Sequence, residues 1–419
     1  MPMKNSFTKH SILPLLINWL WAILWLMLPL SRKGSVAAIW LLGILLIIQS
    51  FLQKPPVRKK QLIISLLLFL FFLSHAIAFF FDPDRQELLN GLVRKLSLLV
   101  IPLIILLGNN ILYNARKWSM RGFYTGLVIS GLHMIADALL HSMDGFEMKY
   151  WMYHEFTEPN TLGAVYYSWY ISIAMISLVY TKQDAIVQKL KYYLLVFFAI
   201  LLLLCASKLF VMITIPIVLI RIFLQFKRKE KIAALGVLII IAILGASPVI
   251  KRFKELKNTD WDVITLDQYK YDTPLNGITL RLVQWRLAYK ILEDQNAWLF
   301  GTGAGSRQDI LDAYYEKYNL YTGNPELDDR GYLGYNFHNQ FVETAVGTGL
   351  AGLVILLLIF IYVFFCIRIQ LILPIFVYIV TTIFFFTESV LERQAGITMF
   401  CLLVCTFKTD VVLKSDKNE

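Results

Sequence analysis

Apolar runs of roughly 18–25 residues follow one another along most of this chain. A run of that length is too long for a strand and matches the ~20 residues a helix needs to cross ~30 Å of hydrocarbon. Inside lipid every backbone N–H and C=O must be paired within the protein, which leaves helices or closed barrels. Continuous apolar runs, without period-two alternation, select helices. Composition agrees. Of the 419 residues, 58% are hydrophobic and only 16% charged, with a mean hydropathy of +0.61, where a soluble domain has roughly 45–50% and about 25%. The expected fold class is an all-α polytopic membrane protein. Transmembrane β-barrels, secreted disulfide scaffolds and nucleic-acid-binding domains are excluded.

The runs place spans at 11–30, 35–52, 61–81, 92–108, 119–140, 161–180, 192–206, 209–225, 232–250, 341–366, 371–387 and 395–411, about twelve helices. Lys4 and Lys9 precede the first run without a small-residue cleavage site after it, so it is expected to be a retained span. Alternate connections hold Lys54, Arg58, Lys59 and Lys60, then Arg116, Lys117 and Arg121, then Lys182, Lys189 and Lys191, then Lys227, Arg228, Lys229 and Lys231. By the positive-inside rule these face the cytoplasm. The opposite loops carry Asp82, Asp84, Glu87, Asp144, Glu147, Glu155 and Glu158, with Arg32 and Lys33 as the main exceptions. The net charge of +11 is then largely a topological signal, and no nucleic-acid partner is needed to account for it. Three parts follow: transmembrane helices 1–9 in residues 1–250, a periplasmic loop domain in 251–340, and helices 10–12 with a short cytoplasmic tail in 341–419.

The long loop is rich in aromatics (Trp261, Tyr269, Tyr271, Trp285, Trp298, Tyr314, Tyr315) and nearly balanced in charge, as suits an ordered cap on a membrane surface. Leu280, Leu287, Ala288 and Ile291 recur at helical spacing and predict an amphipathic helix over Thr279–Asp294. Ser306 with Asp309 predicts a capped second helix running to about Asn319. Between them lies Gly301-Thr302-Gly303-Ala304-Gly305, either a tight turn or a cradle whose backbone N–H groups receive an anion. It follows a helix, not a strand, so it is no dinucleotide fingerprint.

Few residues have chemistry to offer. The four cysteines, Cys205, Cys366, Cys401 and Cys405, lie in or beside apolar segments without CxxC spacing and read as packing thiols. Among the six histidines, His10 is terminal, His75 and His133 fall mid-span, and His141 and His154 show no metal-ligand spacing. His338 stands apart, in Asn336-Phe337-His338-Asn339-Gln340 where the long loop re-enters the membrane, ahead of Gly347, Gly349 and Gly352. It is either a satisfied structural histidine or a functional one. Lys208, Glu343, Glu388, Glu392 and Arg393 all fall at the outer bilayer edge, where each either snorkels to the interface or serves a common site.

Three segments together resemble the O-antigen ligase and O-antigen polymerase superfamily. Thr279-Leu280-Arg281, Trp285 and the glycine-rich turn 301–305 are similar to its loop signature. His338-Asn339, Glu343, Gly347, Gly349 and Gly352 are similar to its His-Asn motif. Glu388, Leu391-Glu392-Arg393-Gln394 and Gly396 resemble a third element found in one branch. The resemblance implies a GT-C-like, metal-independent glycosyltransferase without cofactor in the bacterial inner membrane. Its donor would be an undecaprenyl-diphosphate-linked glycan. Its acceptor would be a hydroxyl of the lipid A core in a ligase, or a second lipid-linked glycan in a polymerase.

Residue by residue, the resemblance assigns catalysis to His338 and donor-diphosphate binding to Arg281. A second family arginine is replaced here by Ser207-Lys208, where lysine keeps the charge and loses the bidentate fork. Arg393 is a third candidate cation, and Asn339, Glu343 and Glu388 are expected to contact the acceptor or support the site. Elementary chemistry points the same way. A diphosphate leaving group needs cations at the outer surface, and an attacking hydroxyl needs a base that titrates near neutrality, as an unperturbed histidine does. A protein O-glycosylation ligase belongs to the same set of readings. From other classes, a transporter or flippase would be expected to show related halves and polar breaks at mid-bilayer; a membrane scaffold would leave the ordered motifs without a purpose.

Overall fold

The computed structural model describes residues 12–53, 58–143, 145–160, 162–225, 259–270, 273–324, 326, 329–367 and 372–406. In chain order its α-helices are α1 Ile12–Met27, α2 Arg32–Leu52, α3 Lys59–Ala76, α4 Arg85–Lys95, α5 Ser97–Asn114, α6 Arg116–Met143, α7 Tyr153–Thr157, α8 Ala164–Tyr180, α9 Ala185–Leu204 and α10 Lys208–Gln225. The cap contributes α11 Thr279–Asp294 and α12 Arg307–Lys317, and the last helices are α13 Gln340–Cys366, α14 Ile372–Thr387 and α15 Gln394–Thr406. Among the described residues β-type pairing is confined to one isolated bridge, Asn324 with Asp329. Over the described residues the regular structure is all-helical, as the apolar runs predict.

Among the described residues, six stretches are long and apolar enough to cross a membrane: Arg32–Leu52, Lys59–Phe80, Arg85–Gly108, Lys117–Met143, Ala185–Leu204 and Gln340–Cys366. A seventh results if the sharply bent pair Tyr153–Asn160 and Ala164–Tyr180 forms one span. Ile12–Met27, Leu373–Thr387 and Gln394–Thr406 are shorter apolar helices. The expected ninth span, 232–250, lies outside the described residues, as do Tyr271, residues 251–258 of the loop and 407–411 of the last span. The expected span at 92–108 differs in detail. Its helix starts earlier, at Arg85, and breaks at Leu96, because Asp84 accepts a hydrogen bond from Glu87 N–H and caps a polar first segment.

Helix contacts follow small residues and aromatics. Gly122 and Gly126 of α6 face the backbone carbonyls of Ala22 and Leu26 in α1, so closely that a Cβ at either would collide with them. Trp25, Phe123 and Tyr170 interlock as neighbouring rings, with centroids 5.6 Å and 5.9 Å apart. Outward faces carry exposed Trp40, Ile44, Val196 and Val354, apolar side chains suited to a lipid surrounding. All four cysteines are free thiols, and Cys205, Cys401 and Cys405 are buried.

The cap has its own core, in which Val283, Leu287, Ala288 and Ile291 of α11 meet Leu311 and Tyr315 of α12 and Phe337. It docks on the bundle through a break in α13. Gly349 there has φ +67° and ψ −169°, a conformation that a Cβ disfavours. The N–H groups of Leu350 and Ala351, deprived of helical partners, donate to the carbonyls of Trp298 (2.8 Å) and Leu299 (3.2 Å). In return Thr302 donates its N–H (2.8 Å) and its hydroxyl (3.2 Å) to the Val346 carbonyl. A broken helix within an apolar bundle is tolerated only where neighbouring protein satisfies the freed groups, and here the cap supplies them.

Candidate functional site

Gly305 and Ser306 donate backbone N–H groups to the Asp82 carboxylate at 2.6 Å and 3.2 Å, and the Ser306 hydroxyl also bonds to it. The glycine-rich turn is therefore an anion cradle whose anion is a buried side chain from the α3–α4 connection. A Cβ on Gly303 would strike that carboxylate, and one on Gly301 would strike the Gly347–Gly349 backbone. Ser306 is thereby used up. It makes no side-chain cap bond to its own helix, which ends at Lys317 and not at Asn319, a correction to the expected Ser306–Asp309 cap.

Behind the turn lies an ionic network that pattern reading did not isolate. Arg307, buried at the start of α12, pairs through Nε with Glu343 and through Nη2 with Glu392 at 3.0 Å. Lys95 reaches Glu392 from the other side at 3.0 Å. Burial works against ionisation of Glu392, but the charges of Arg307 and Lys95 outweigh it and hold the carboxyl far below the usual carboxylate range. Burial likewise penalises the Arg307 charge, and Glu343 and Glu392 more than restore it. Glu343 also accepts from Phe337 N–H (3.2 Å) and the Ser389 hydroxyl (2.8 Å). The network thus fixes the segment that carries His338 and the turn that carries Glu388. The only sequence signal for Arg307 was its place two residues after the glycine turn.

His338 sits in the left-handed region with φ +46°, uncommon for a residue with a Cβ and held only where its surroundings over-determine it. Its N–H donates to Asn336 Oδ1 (2.9 Å), and the preceding carbonyl, of Phe337, accepts from Trp285 Nε1 (2.9 Å). Nδ1 lies 3.4 Å from Glu388 Oε2, and the ring meets Tyr335 edge-on at 5.9 Å. Arg281, on the first turn of α11, places Nη2 3.6 Å from Glu388 Oε1 and donates Nη1–H to the Gly277 carbonyl at 2.8 Å. Its Nε is buried with no hydrogen-bond partner among the described residues. Three separate elements thus bring Arg281, His338 and Glu388 together at the cap end of the bundle.

Other expected residues surround this group. Asn339 uses its Oδ1 to cap α13, accepting from Phe341 N–H (2.9 Å) and Val342 N–H (3.2 Å). Arg393 is exposed, five residues beyond Glu388, with its guanidinium 5.6 Å from the centroid of the Tyr166 ring. Lys208 opens α10. The hydroxyls of Thr214 and Ser172 bond at 2.7 Å, and Arg221 Nε donates to the Val179 carbonyl at 3.5 Å, joining α10 to α8. Among the described residues, no group of His, Cys, Asp and Glu is arranged to hold a metal ion.

Residues 193–357 match the family model described as O-antigen ligase. The match takes in Lys208, Arg281, the glycine turn, His338 and Glu343, and supports the resemblance to the O-antigen ligase superfamily; Glu388 and Arg393 lie beyond it. No curated protein matches the chain.

Proposed function

We propose, from that likeness and from the joining of Arg281, Glu388 and His338, that the chain is a lipid-linked-glycan transferase of the O-antigen ligase type. It takes a glycan from undecaprenyl diphosphate to a hydroxyl of the lipid A core at the periplasmic face of the inner membrane. The observation that carries the reading is Glu388, whose carboxylate meets a guanidinium on one oxygen and an imidazole on the other.

In this reading Glu388 accepts the Nδ1–H of His338, so the tautomer with a free Nε2 lone pair faces the acceptor. The acceptor hydroxyl attacks the anomeric carbon, the bond from that carbon to the diphosphate oxygen breaks, and Nε2 takes the hydroxyl proton. The departing diphosphate keeps the bonding pair, and Arg281, with Lys208 and Arg393, offsets its charge. Asn339 and Glu343 act as positioning residues: the first starts the helix behind His338, the second ties the Phe337 backbone to the Ser389 side chain.

A deletion strain tests the function when its lipopolysaccharide and its undecaprenyl-linked glycans are run side by side. Loss of capped lipid A core with accumulation of long lipid-linked chains is the expected result. Accumulation of single repeat units would make the chain a polymerase acting through the same site on a different acceptor. Unchanged patterns in both pools would overturn the reading.

A further inference from the structure

Leu299 and Phe300 lie in the cap, between α11 and the glycine turn, yet they are 60% and 52% exposed. Trp298 before them is exposed as well. A cap standing in water would be expected to turn three large apolar residues in a row inward, and an exposed patch of this kind marks a surface that something covers.

The backbone fixes the depth of this segment. Leu350 and Ala351 of α13 donate their N–H groups to the carbonyls of Trp298 and Leu299, and a Cβ on Gly349 would strike the Leu299 carbonyl. Residues 298–300 therefore lie against α13 at its break. Helix α13 runs antiparallel to α3: a Cβ on Gly352 would come within 3.1 Å of Ser74 Oγ, and further down the Tyr362 hydroxyl donates to the Lys60 carbonyl at 3.2 Å. That register sets Leu350, and Leu299 beside it, no nearer the cap end than about Ala76. The apolar stretch that contains α3 continues four residues past Ala76, to Phe80, a further 6–8 Å or so toward the cap. Leu299 is thus sunk below the end of a span.

Its surroundings fit that depth. Leu350, Val354, Leu357 and Ile361 are exposed at helical spacing along α13, and this apolar stripe begins at the residue whose N–H holds Trp298. Leu299 and Phe300 extend the stripe toward the cap. Above them Trp298 and Tyr289 of α11 meet edge-on with ring centroids 5.4 Å apart, and the Arg85 guanidinium lies over the Phe79 ring at 5.4 Å. Trp and Tyr rings and long cations of this kind collect at the headgroup level of a bilayer.

We propose that residues 298–300 are a re-entrant anchor of the cap. Leu299 and Phe300 enter the hydrocarbon of the leaflet on the cap side and contact phospholipid acyl chains, while Trp298 and Tyr289 sit at the headgroup level. Non-helical backbone at that depth needs protein partners, and the N–H groups freed at the break in α13 supply them. The anchor sets the height of the cap over the bilayer, and with it the height of Arg281, whatever group the protein transfers.

The test is nitroxide accessibility in the full-length protein in phospholipid nanodiscs. Cys366→Ser removes the one cysteine that is not buried. On that background Leu299→Cys and Phe300→Cys carry the label, with Val354→Cys as the bilayer standard and Asp267→Cys, whose side chain is 87% exposed, as the water standard. Labels at 299 and 300 should relax with oxygen, which concentrates in hydrocarbon, and resist a water-soluble nickel chelate, as the label at 354 does. Access to the chelate equal to that at 267 would overturn the anchor. Low access to both reagents would mean that protein, a second copy included, covers the segment, and would overturn the lipid contact. A second reading needs no label: Leu299→Asp should lower the unfolding temperature in nanodiscs by about 2 °C or more, and Leu299→Met should not. An aspartate variant as stable as wild type would place residue 299 in water and contradict the proposal.

Discussion

The Nδ1 of His338 and the Oε2 of Glu388 stand 3.4 Å apart although 50 residues separate them in the chain. The contact gives the imidazole a carboxylate partner on Nδ1, and in the proposed reaction leaves Nε2 to the acceptor. If Glu388 sets that tautomer, Glu388→Gln, whose amide keeps the shape and loses the charge, should lower kcat by roughly 10–10²-fold with little change in donor KM. A matching fall in expression and unfolding temperature would instead mark Glu388 as purely structural.

Arg281 should separate charge from shape. Arg281→Ala is expected to abolish measurable transfer, while Arg281→Lys keeps a cation without the planar fork and should retain only part of it. Steady-state kinetics on the lipid-linked donor decide the matter, and wild-type turnover in the alanine variant would remove Arg281 from the site.

Much of this architecture is legible in the sequence, for reasons that particular residues make plain. Helix α11 runs over Thr279–Asp294 as predicted because its apolar stripe, with Leu280, Leu287, Ala288 and Ile291 all buried, has a single face to cover. Local motifs singled out His338 and Arg281, which the fold brings to one carboxylate, Glu388. What stayed hidden was pairing over long separations. Asp82 reads as an acidic loop residue, yet it fills a turn 223 residues away. Arg307 reads as an ordinary helix position, and only the fold shows it buried between two glutamates. Span bounds shifted where a polar segment leads into an apolar one, as with α4 ahead of the expected span 92–108, whereas the break at Gly349 left the expected span 341–366 in place as Gln340–Cys366.

Glu392 makes the attachment of the cap sensitive to acid. Its carboxyl binds a proton more weakly in the folded protein than in the unfolded chain, so its contribution to stability is fully present above the ordinary value of 4.5 and shrinks as pH falls from there. The unfolding temperature in detergent should therefore drop more steeply below about pH 4.5. Glu392→Gln should be less stable at pH 7 and flatter across the same range. A wild-type curve that is flat down to pH 3 would contradict this.

The break in α13 predicts a contrast between glycines. Gly301→Ala puts a Cβ against the Gly347–Gly349 backbone at a residue with φ +75° and should cost about 1–3 kcal/mol or more. Gly91→Ala, in α4 with its nearest neighbour atom at 3.8 Å, should be neutral or mildly stabilising. Thermal unfolding of the two variants in parallel checks the pair, and equal stabilities would refute the docking role of the turn.

The central claim is that His338 takes the acceptor proton, and turnover of His338→Ala and His338→Gln measured side by side tests it most directly. Alanine should lower turnover by about 10²–10⁴-fold while expression and donor binding persist. Glutamine keeps a hydrogen bond but takes no proton near neutral pH, so the account predicts that it is nearly as impaired as alanine. A glutamine variant that turns over at the wild-type rate would contradict the account and leave His338 with a positioning role only.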